Sequence, residues 1–462
     1  MLFKQRTRRC FNIQSINLNI KTMKKEKTTK AFPIIYPNAA GIDISSKEHY
    51  VAVNPKNKEP IRSFGCFTEN LKEIAMWLKQ CKVNTVAMEA TGIYWVSLFL
   101  ILEQEGFDVV LVNAKHVKNV RGKKTDMSDA EWIRQLHSCG LLSASFQPDA
   151  FTRKLRTYMR HRKNLIEMAA THIRMMHKAL EQLNIKLQHV ITDITGKSGQ
   201  DIIQAIILGE QNPEKLASFC DGRIRANKKE MIIKSLEGIW KEEHIFELEQ
   251  SFSLYHFYQR KIKECDAQIE QHLRDKTGIP KDPNEKLKVQ SNKNNINFQA
   301  KEILKQITGT DLPEIFGITE SNALEIISEI GLNMKKWPTE KHFTSWLNLA
   351  PNNKISGGRI LSSRIPKKKN IAGQVFKMAA FSVQRSENWL AVFFHRIKVK
   401  KGTAKAVVAT ARKIAVIFYK MMQDKVLFTP IPIEKYNEVF KDNQIKRLKR
   451  QAQKLGYQII GE

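Results

Sequence analysis

Asp126 and Asp129 stand three residues apart in the stretch Lys123-Lys124-Thr125-Asp126-Met127-Ser128-Asp129-Ala130-Glu131-Trp132. On a helix, positions i and i+3 share a face, so the two carboxylates point the same way. With Lys115, Lys118, Lys123 and Lys124 ahead of them, they suit a hard cation held beside a bound polyanion. Taken alone, the pair reads more readily as a helix start, with Thr125 or Asp126 as cap and the acids complementing the helix dipole.

Two upstream acids change that balance. Asp43 interrupts the apolar run Ile42-Asp43-Ile44, where a charge is costly unless paired or metal-bound. Glu89 closes Thr85-Val86-Ala87-Met88, and sites in open α/β sheets gather at strand ends. Four carboxylates drawn from two strands and one helix repel one another and need cations. Oxygen donors suit Mg²⁺ or Mn²⁺, and two such ions can hold the attacking and leaving oxygens of a phosphodiester displacement. Far downstream, Ser356-Gly357-Gly358 is surrounded by Lys354, Arg359, Arg364 and Lys367 to Lys369. A serine on a tight glycine turn among cations can attack a phosphodiester, with the cations stabilising the pentavalent charge. By itself Ser-Gly-Gly is more often a simple loop, and Ser362 and Ser363 lie close by.

The elements that must position these groups follow from the pattern. Ala40 to Ile44 and His49 to Val53 predict a hairpin, and Pro55-Lys56-Asn57-Lys58 is a turn before a further strand, Ile61 to Phe67. Leu71, Ile74, Ala75 and Leu78 keep helical spacing over about 69–80; a helix over about 94–104 and a strand at Val109 to Val112 follow. A hairpin with a central Asp, a Glu-ended strand and a final Asp-x-x-Asp helix is what an RNase H-like nuclease needs. After Pro148 the chain turns helical. Ile166, Ala169, Ile173, Met176, Leu180, Leu183 and Leu187 form a heptad-like seam, and a second run from about His244 to Arg274 repeats the spacing. The two can pack as an antiparallel hairpin or pair between subunits. Arg153, Lys154, Arg156, Arg160, Arg162 and Lys163 crowd the start of the first run as candidate phosphate contacts, with a solvated face as the alternative. Phe316-Gly317-Ile318-Thr319 suggests a helix-hairpin-helix turn or a plain helical corner.

The expected organisation is a disordered basic extension over 1–37 and an α/β domain over 38–148. A helical, coiled-coil region follows over 149–275, then a linker over 276–300, rich in Asn and Pro. A mainly helical C-terminal domain over 301–425 precedes a basic tail over 426–462. The extension reads as floppy, or as the product of a start placed upstream of Met23. Over 462 residues, 77 Lys and Arg face 46 Asp and Glu, a formal net charge of +31 that favours a polyanionic partner. The six cysteines form no Cys-x-x-Cys pair and read as thiols of a reducing compartment. The longest apolar run is too short to span a bilayer.

Four segments carry a resemblance: Gly41-Ile42-Asp43, Ala87-Met88-Glu89-Ala90-Thr91-Gly92-Ile93-Tyr94-Trp95, Val112-Asn113-Ala114-Lys115-His116-Val117-Lys118 and Lys124-Thr125-Asp126-Met127-Ser128-Asp129-Ala130. The chain resembles the DEDD transposases of bacterial insertion sequences, and the span from Ile307 to Met422 looks like that family's C-terminal transposase domain. The resemblance implies a RuvC-like N-terminal domain with Asp43, Glu89, Asp126 and Asp129 as metal ligands for Mg²⁺, and Ser356 as the nucleophile of a covalent serine–DNA link. It further implies DNA ends and target as substrates, a guide (bridge) RNA, a homo-oligomer in which acids and serine can come from different subunits, and a bacterial, cytoplasmic, nucleoid-associated enzyme. Rival readings are a junction-resolving endonuclease using the acids alone and a nucleic-acid scaffold with structural acids.

Overall fold

The computed structural model describes residues 32–113, 126–281, 293–366 and 369–459, with backbone only at 126–128. The chain divides into two compact units, residues 1–147 and 148–462.

The first unit is built on a five-stranded sheet: β1 (Ala39–Ile44), β2 (Glu48–Ala52), β3 (Ile61–Gly65), β4 (Thr85–Glu89) and β5 (Asp108–Val112), in the order β3-β2-β1-β4-β5. β1 to β3 form an antiparallel meander, and β4 and β5 join parallel to β1. The parallel joins need crossovers, which α1 (Thr68–Gln80) and α2 (Trp95–Gln104) supply. Strand side chains alternate between faces. Ala40, Ile42, Ile44, Val86, Met88 and Leu111 bury themselves with Leu71, Ile74, Leu78, Leu98 and Leu102 of the two crossover helices. The opposite face carries Gly41, Ala87 and Val112 and is covered by α3 (Asp126–Ser138), through Ile133 among others. This is the mixed α/β, RNase H-like architecture expected.

The second unit is helical around a long antiparallel pair, α4 (Ala150–Gln182) and α8 (Glu242–Thr277). Their direction follows from the contacts: His272 Nε2 meets Phe151 O at 3.0 Å, Cys265 Sγ meets Tyr158 O at 3.4 Å, and the Tyr258 and His172 rings stack at 5.5 Å. The seam therefore closes within one chain. α4 stops at Gln182 rather than running to Leu187, because Asn184 takes a left-handed φ of 58°. Between the long helices, α5 (Lys197–Ile207), α6 (Pro213–Ser218) and α7 (Gly222–Ser235) build a core with Ile202, Ile206, Leu216 and Ile232.

Part of the basic row at the start of α4 is engaged within the unit. Arg156 donates to the Ser328 and Glu329 carbonyls at the end of α10 (Glu320–Ile330), and Arg160 grips the Glu329 carboxylate with two bonds of 2.8 Å. These cations satisfy the last carbonyls of a helix and complement its dipole. Lys163 faces Glu325 at 3.6 Å. Arg162 is buried against Asp266 and donates to the carbonyls of Asn294 and Asn295, at 2.9 and 2.8 Å. The stretch expected as linker is thereby partly tied down: Ile296, Phe298 and Ala300 are buried, and Ala300 N–H donates to Glu320. Residues 282–292 of that stretch lie outside the described residues.

The C-terminal part adds α9 (Lys301–Thr308), α11 (Glu340–Trp346), the hairpin β6 (Lys354–Ser356) and β7 (Arg359–Ser362), α12 (Ile371–Val383), α13 (Trp389–Lys401), α14 (Thr403–Asp424) and α15 (Ile433–Lys454). Phe343, Phe376, Phe418 and Tyr419 form its aromatic centre, with ring centroids 5.5–6.4 Å apart and the Tyr419 hydroxyl on Trp337 O at 2.8 Å. The Phe316–Thr319 turn is a packed corner. A Cβ at Gly317 would meet Ala379 O of α12 at 2.6 Å, so only glycine lets the turn pack this closely.

Breaking the Arg162–Asp266 pair leaves a buried, uncompensated charge. Arg162→Ala is expected to destabilise the helical unit by roughly 3–5 kcal/mol, read from urea unfolding. The double change Arg162→Met with Asp266→Leu should recover most of the loss.

Candidate active site

A glycine in the middle of a strand weakens it unless another backbone comes close. Gly41 is such a case: a Cβ there would lie 2.3 Å from Arg134 N and 2.4 Å from Ala130 O of α3. The helix is thus seated directly on β1. Its direction is set at the far end, where the Ser138 carbonyl accepts from Ile35 and Tyr36 N–H at 2.7 and 2.9 Å, and His137 Nε2 meets Thr85 Oγ1 at 2.9 Å. The C-terminus of α3 therefore sits at the start of β1 and β4, and its N-terminus at their carboxyl ends.

That end is where the acids are. Asp43 shares a strand face with Gly41, and Glu89 with Ala87; Gly41 pairs with Ala87 across the parallel ladder. Asp43 lies two residues beyond Gly41, an advance of about 6.6 Å along a strand. Asp126, the first residue of α3, lies four residues before Ala130, about 6 Å along a helix. The two positions are level. Asp129, the neighbour of Ala130, is half-buried, as is Asp43, and Glu89 is buried with Thr91 Oγ1 donating to its Oε1 at 3.0 Å. Among the described residues no three His, Cys, Asp or Glu side chains stand close enough to hold a metal ion. The side chain of Asp126 lies outside the described residues, as do Lys115, Lys118, Lys123 and Lys124.

The second group is the hairpin. Gly357 and Gly358, with φ of 54° and 73°, make the two-residue turn that β6 and β7 require. Ser356 pairs with Arg359 and Lys354 with Ser362, so Ser356 and a cation stand opposite each other across the strands at the turn. Ser356, Lys354, Arg359 and Arg364 are all exposed, whereas Ser362 is half-buried, its Oγ accepting from Arg364 N at 3.4 Å. The start of α12, downstream of the hairpin, is anchored on the end of α11. Asn370 Nδ2 donates to Trp346 O at 3.0 Å, Asn370 Oδ1 accepts from Gly373 N at 2.8 Å, and a Cβ on Gly373 would meet Leu347 O at 2.1 Å. Lys367 and Lys368 lie outside the described residues. Of the α4 cations expected to bind nucleic acid, Arg160 is engaged with Glu329, and Arg153 donates to Pro148 O at 3.0 Å. Their acceptors lie either in the local turn or far along the chain, which spacing alone does not show.

Three residues that sequence reasoning passed over take part: Gly41 as the seat of α3, His137 as its anchor and Thr91 as the partner of Glu89. Only Gly41 carried a signal, as a glycine inside an apolar strand.

A sheet of this order, with Asp43 and Glu89 toward the carboxyl ends of two neighbouring parallel strands and a helix start across them, is of the RNase H-like class. Two family models match the chain: a DEDD-type IS110 transposase over residues 40–185, and the transposase IS116/IS110/IS902 family over residues 310–395. The chain belongs to the IS110 family of transposases, enzymes that act on DNA in transposition. No curated protein matches it.

Burial holds the His137 pKa below the ordinary histidine value, against an opposing pull from Asp108, and burial does the same to His49. Each imidazole is harder to charge in the folded chain than in the unfolded one. Their contribution is therefore complete above the unfolded value of about 6.5 and is lost as pH falls below it. The thermal midpoint of the first unit is expected to drop over that range, and His137→Gln to flatten the drop in part, with His49 retaining the rest.

Proposed function

We propose that this chain excises and inserts a mobile DNA element by strand cleavage and religation through a serine–DNA link, with metal-binding acids and serine serving one reaction. The observation that carries the reading is the level placement of Asp43, Glu89 and the N-terminus of α3 at one end of the sheet. The donor set is all carboxylate oxygen, which fits Mg²⁺ and admits Mn²⁺. Asp43, Glu89, Asp126 and Asp129 would hold the ions, which when bound neutralise charge on the reacting phosphate. Thr91 fixes one oxygen of Glu89.

Ser356 is the favoured nucleophile. It is exposed beside a tight turn with Arg359 directly across the ladder, whereas Ser362 is half-buried with its Oγ on the Arg364 N–H and Ser363, also exposed, lies beyond the paired strands and the turn. Its Oγ attacks phosphorus, the bond to a deoxyribose oxygen breaks, and the serine proton ends on that departing oxygen. Attack on the serine phosphodiester by a hydroxyl of another strand restores the serine and joins the DNA. Arg359, with Lys354 and Arg364 nearby, stabilises charge on the phosphate. A guide RNA, a homo-oligomer and a bacterial cytoplasmic location belong to the same reading and rest on the family resemblance. Among the described residues no helix is long and apolar enough to cross a membrane.

Recombination by the purified chain with DNA and RNA from its own locus tests this. Asp43→Asn and Ser356→Ala should each lower strand exchange by at least a thousandfold while DNA binding persists, and Ser356→Ala should abolish the protein–DNA adduct. Retained recombination by Ser356→Ala would leave a nuclease of the four acids alone. Unchanged DNA processing in both variants would leave a scaffold.

A further inference from the structure

The last helix, α15, has no buried residue. Its first half is clamped to α13: Arg396 lies 3.5 Å over the Phe440 ring and 5.2 Å over Tyr436 and donates to Asn437 Oδ1 at 3.0 Å, and Trp389 packs 5.4 Å from Tyr436. Every residue from Lys441 to Gln451 is exposed. Residues 441–454 hold six cations (Lys441, Lys446, Arg447, Lys449, Arg450 and Lys454) against one acid, Asp442. Lys446, Arg450 and Lys454 recur every four residues and form one stripe. Among the described residues no carboxylate pairs with them. A helix of this length without packing is marginal in water, and like charges at i,i+4 weaken it further. The segment also lies outside residues 40–185 and 310–395, the parts matched by the family models.

We propose that residues 441–454 are a docking arm for the phosphate backbone of double-stranded DNA, held out from the body by the Arg396 clamp. The charge decides between partners. A second copy of the chain would bring the same positive stripe, and within 441–454 the large apolar side chains are Ile445 and Leu448, with Leu455 at the helix end. A duplex supplies phosphates along its length, so cations one turn apart can each engage one and release counterions. The proposal rests on DNA being the substrate, and not on the four acids or on Ser356.

The test uses the full chain and a labelled random-sequence duplex, with affinity measured by anisotropy across a salt series. The variant carries Lys446→Gln, Lys449→Gln, Arg450→Gln and Lys454→Gln. With helix content unchanged by circular dichroism, its slope of log affinity against log salt should be shallower by about 3, and its affinity at moderate salt lower by roughly tenfold to a hundredfold. A charge-keeping variant (Lys446→Arg, Lys449→Arg, Lys454→Arg) should match the wild type. An unchanged slope in the neutralised variant overturns the proposal. So does equal loss in the charge-keeping variant, or a changed oligomeric mass with no change in slope. Strand exchange by Asp43→Asn and Ser356→Ala is a separate measurement, so a failure of the catalytic reading is told apart from a failure of this one.

Discussion

The close approach of α3 to β1 at Gly41 is the contact on which the first unit's chemistry depends. No side chain separates the helix from the strand there, so the helix sits at one depth over the sheet. Its direction is then set by His137 and Ser138 at the strands' starting end. Once depth and direction are given, the rises of helix and strand put Asp126 level with Asp43, and Glu89 follows from the parallel ladder. A metal site built from separate elements needs its supports held to a fraction of an ångström, and rigid elements provide that better than loops.

Charge is used in two distinct ways. Several of the cations that open α4 are engaged within the unit: Arg156 and Arg160 hold the end of α10, and Arg162 neutralises a buried aspartate. The cations of the hairpin and of α15 are turned outward, with no carboxylate against them among the described residues. A net charge of +31 therefore overstates the surface offered to a polyanion at some places and locates it well at others.

Local periodicity made most elements of the first unit readable. Leu71, Ile74 and Leu78 mark α1, and the apolar runs mark β4 and β5, because each of these signals is complete within a dozen residues. The place of Asp43 inside an apolar strand was likewise legible, since a lone charge there calls for a partner. What the sequence concealed depends on distant pairs. Glu329 lies far along the chain from Arg160, and Asp266 from Arg162, so the carboxylate partners of these cations were not visible in the spacing. The Asn-rich stretch before Lys301 looked like a linker because the burial of Ile296 and Phe298 depends on helices elsewhere. The need for glycine at 317 was hidden too, because it comes from the distant Ala379 carbonyl packed against that position.

The central claim is that α3 delivers its first-turn acids to the two strand acids. Titrating Mn²⁺ into the full chain, with free ion followed by electron paramagnetic resonance, tests it most directly. Asp43→Asn and Asp126→Asn should each weaken Mn²⁺ binding by at least about tenfold, because losing either removes a ligand from one shared site. Undiminished Mn²⁺ binding by a folded Asp126→Asn chain would contradict it, and would return that residue to the role of a helix cap.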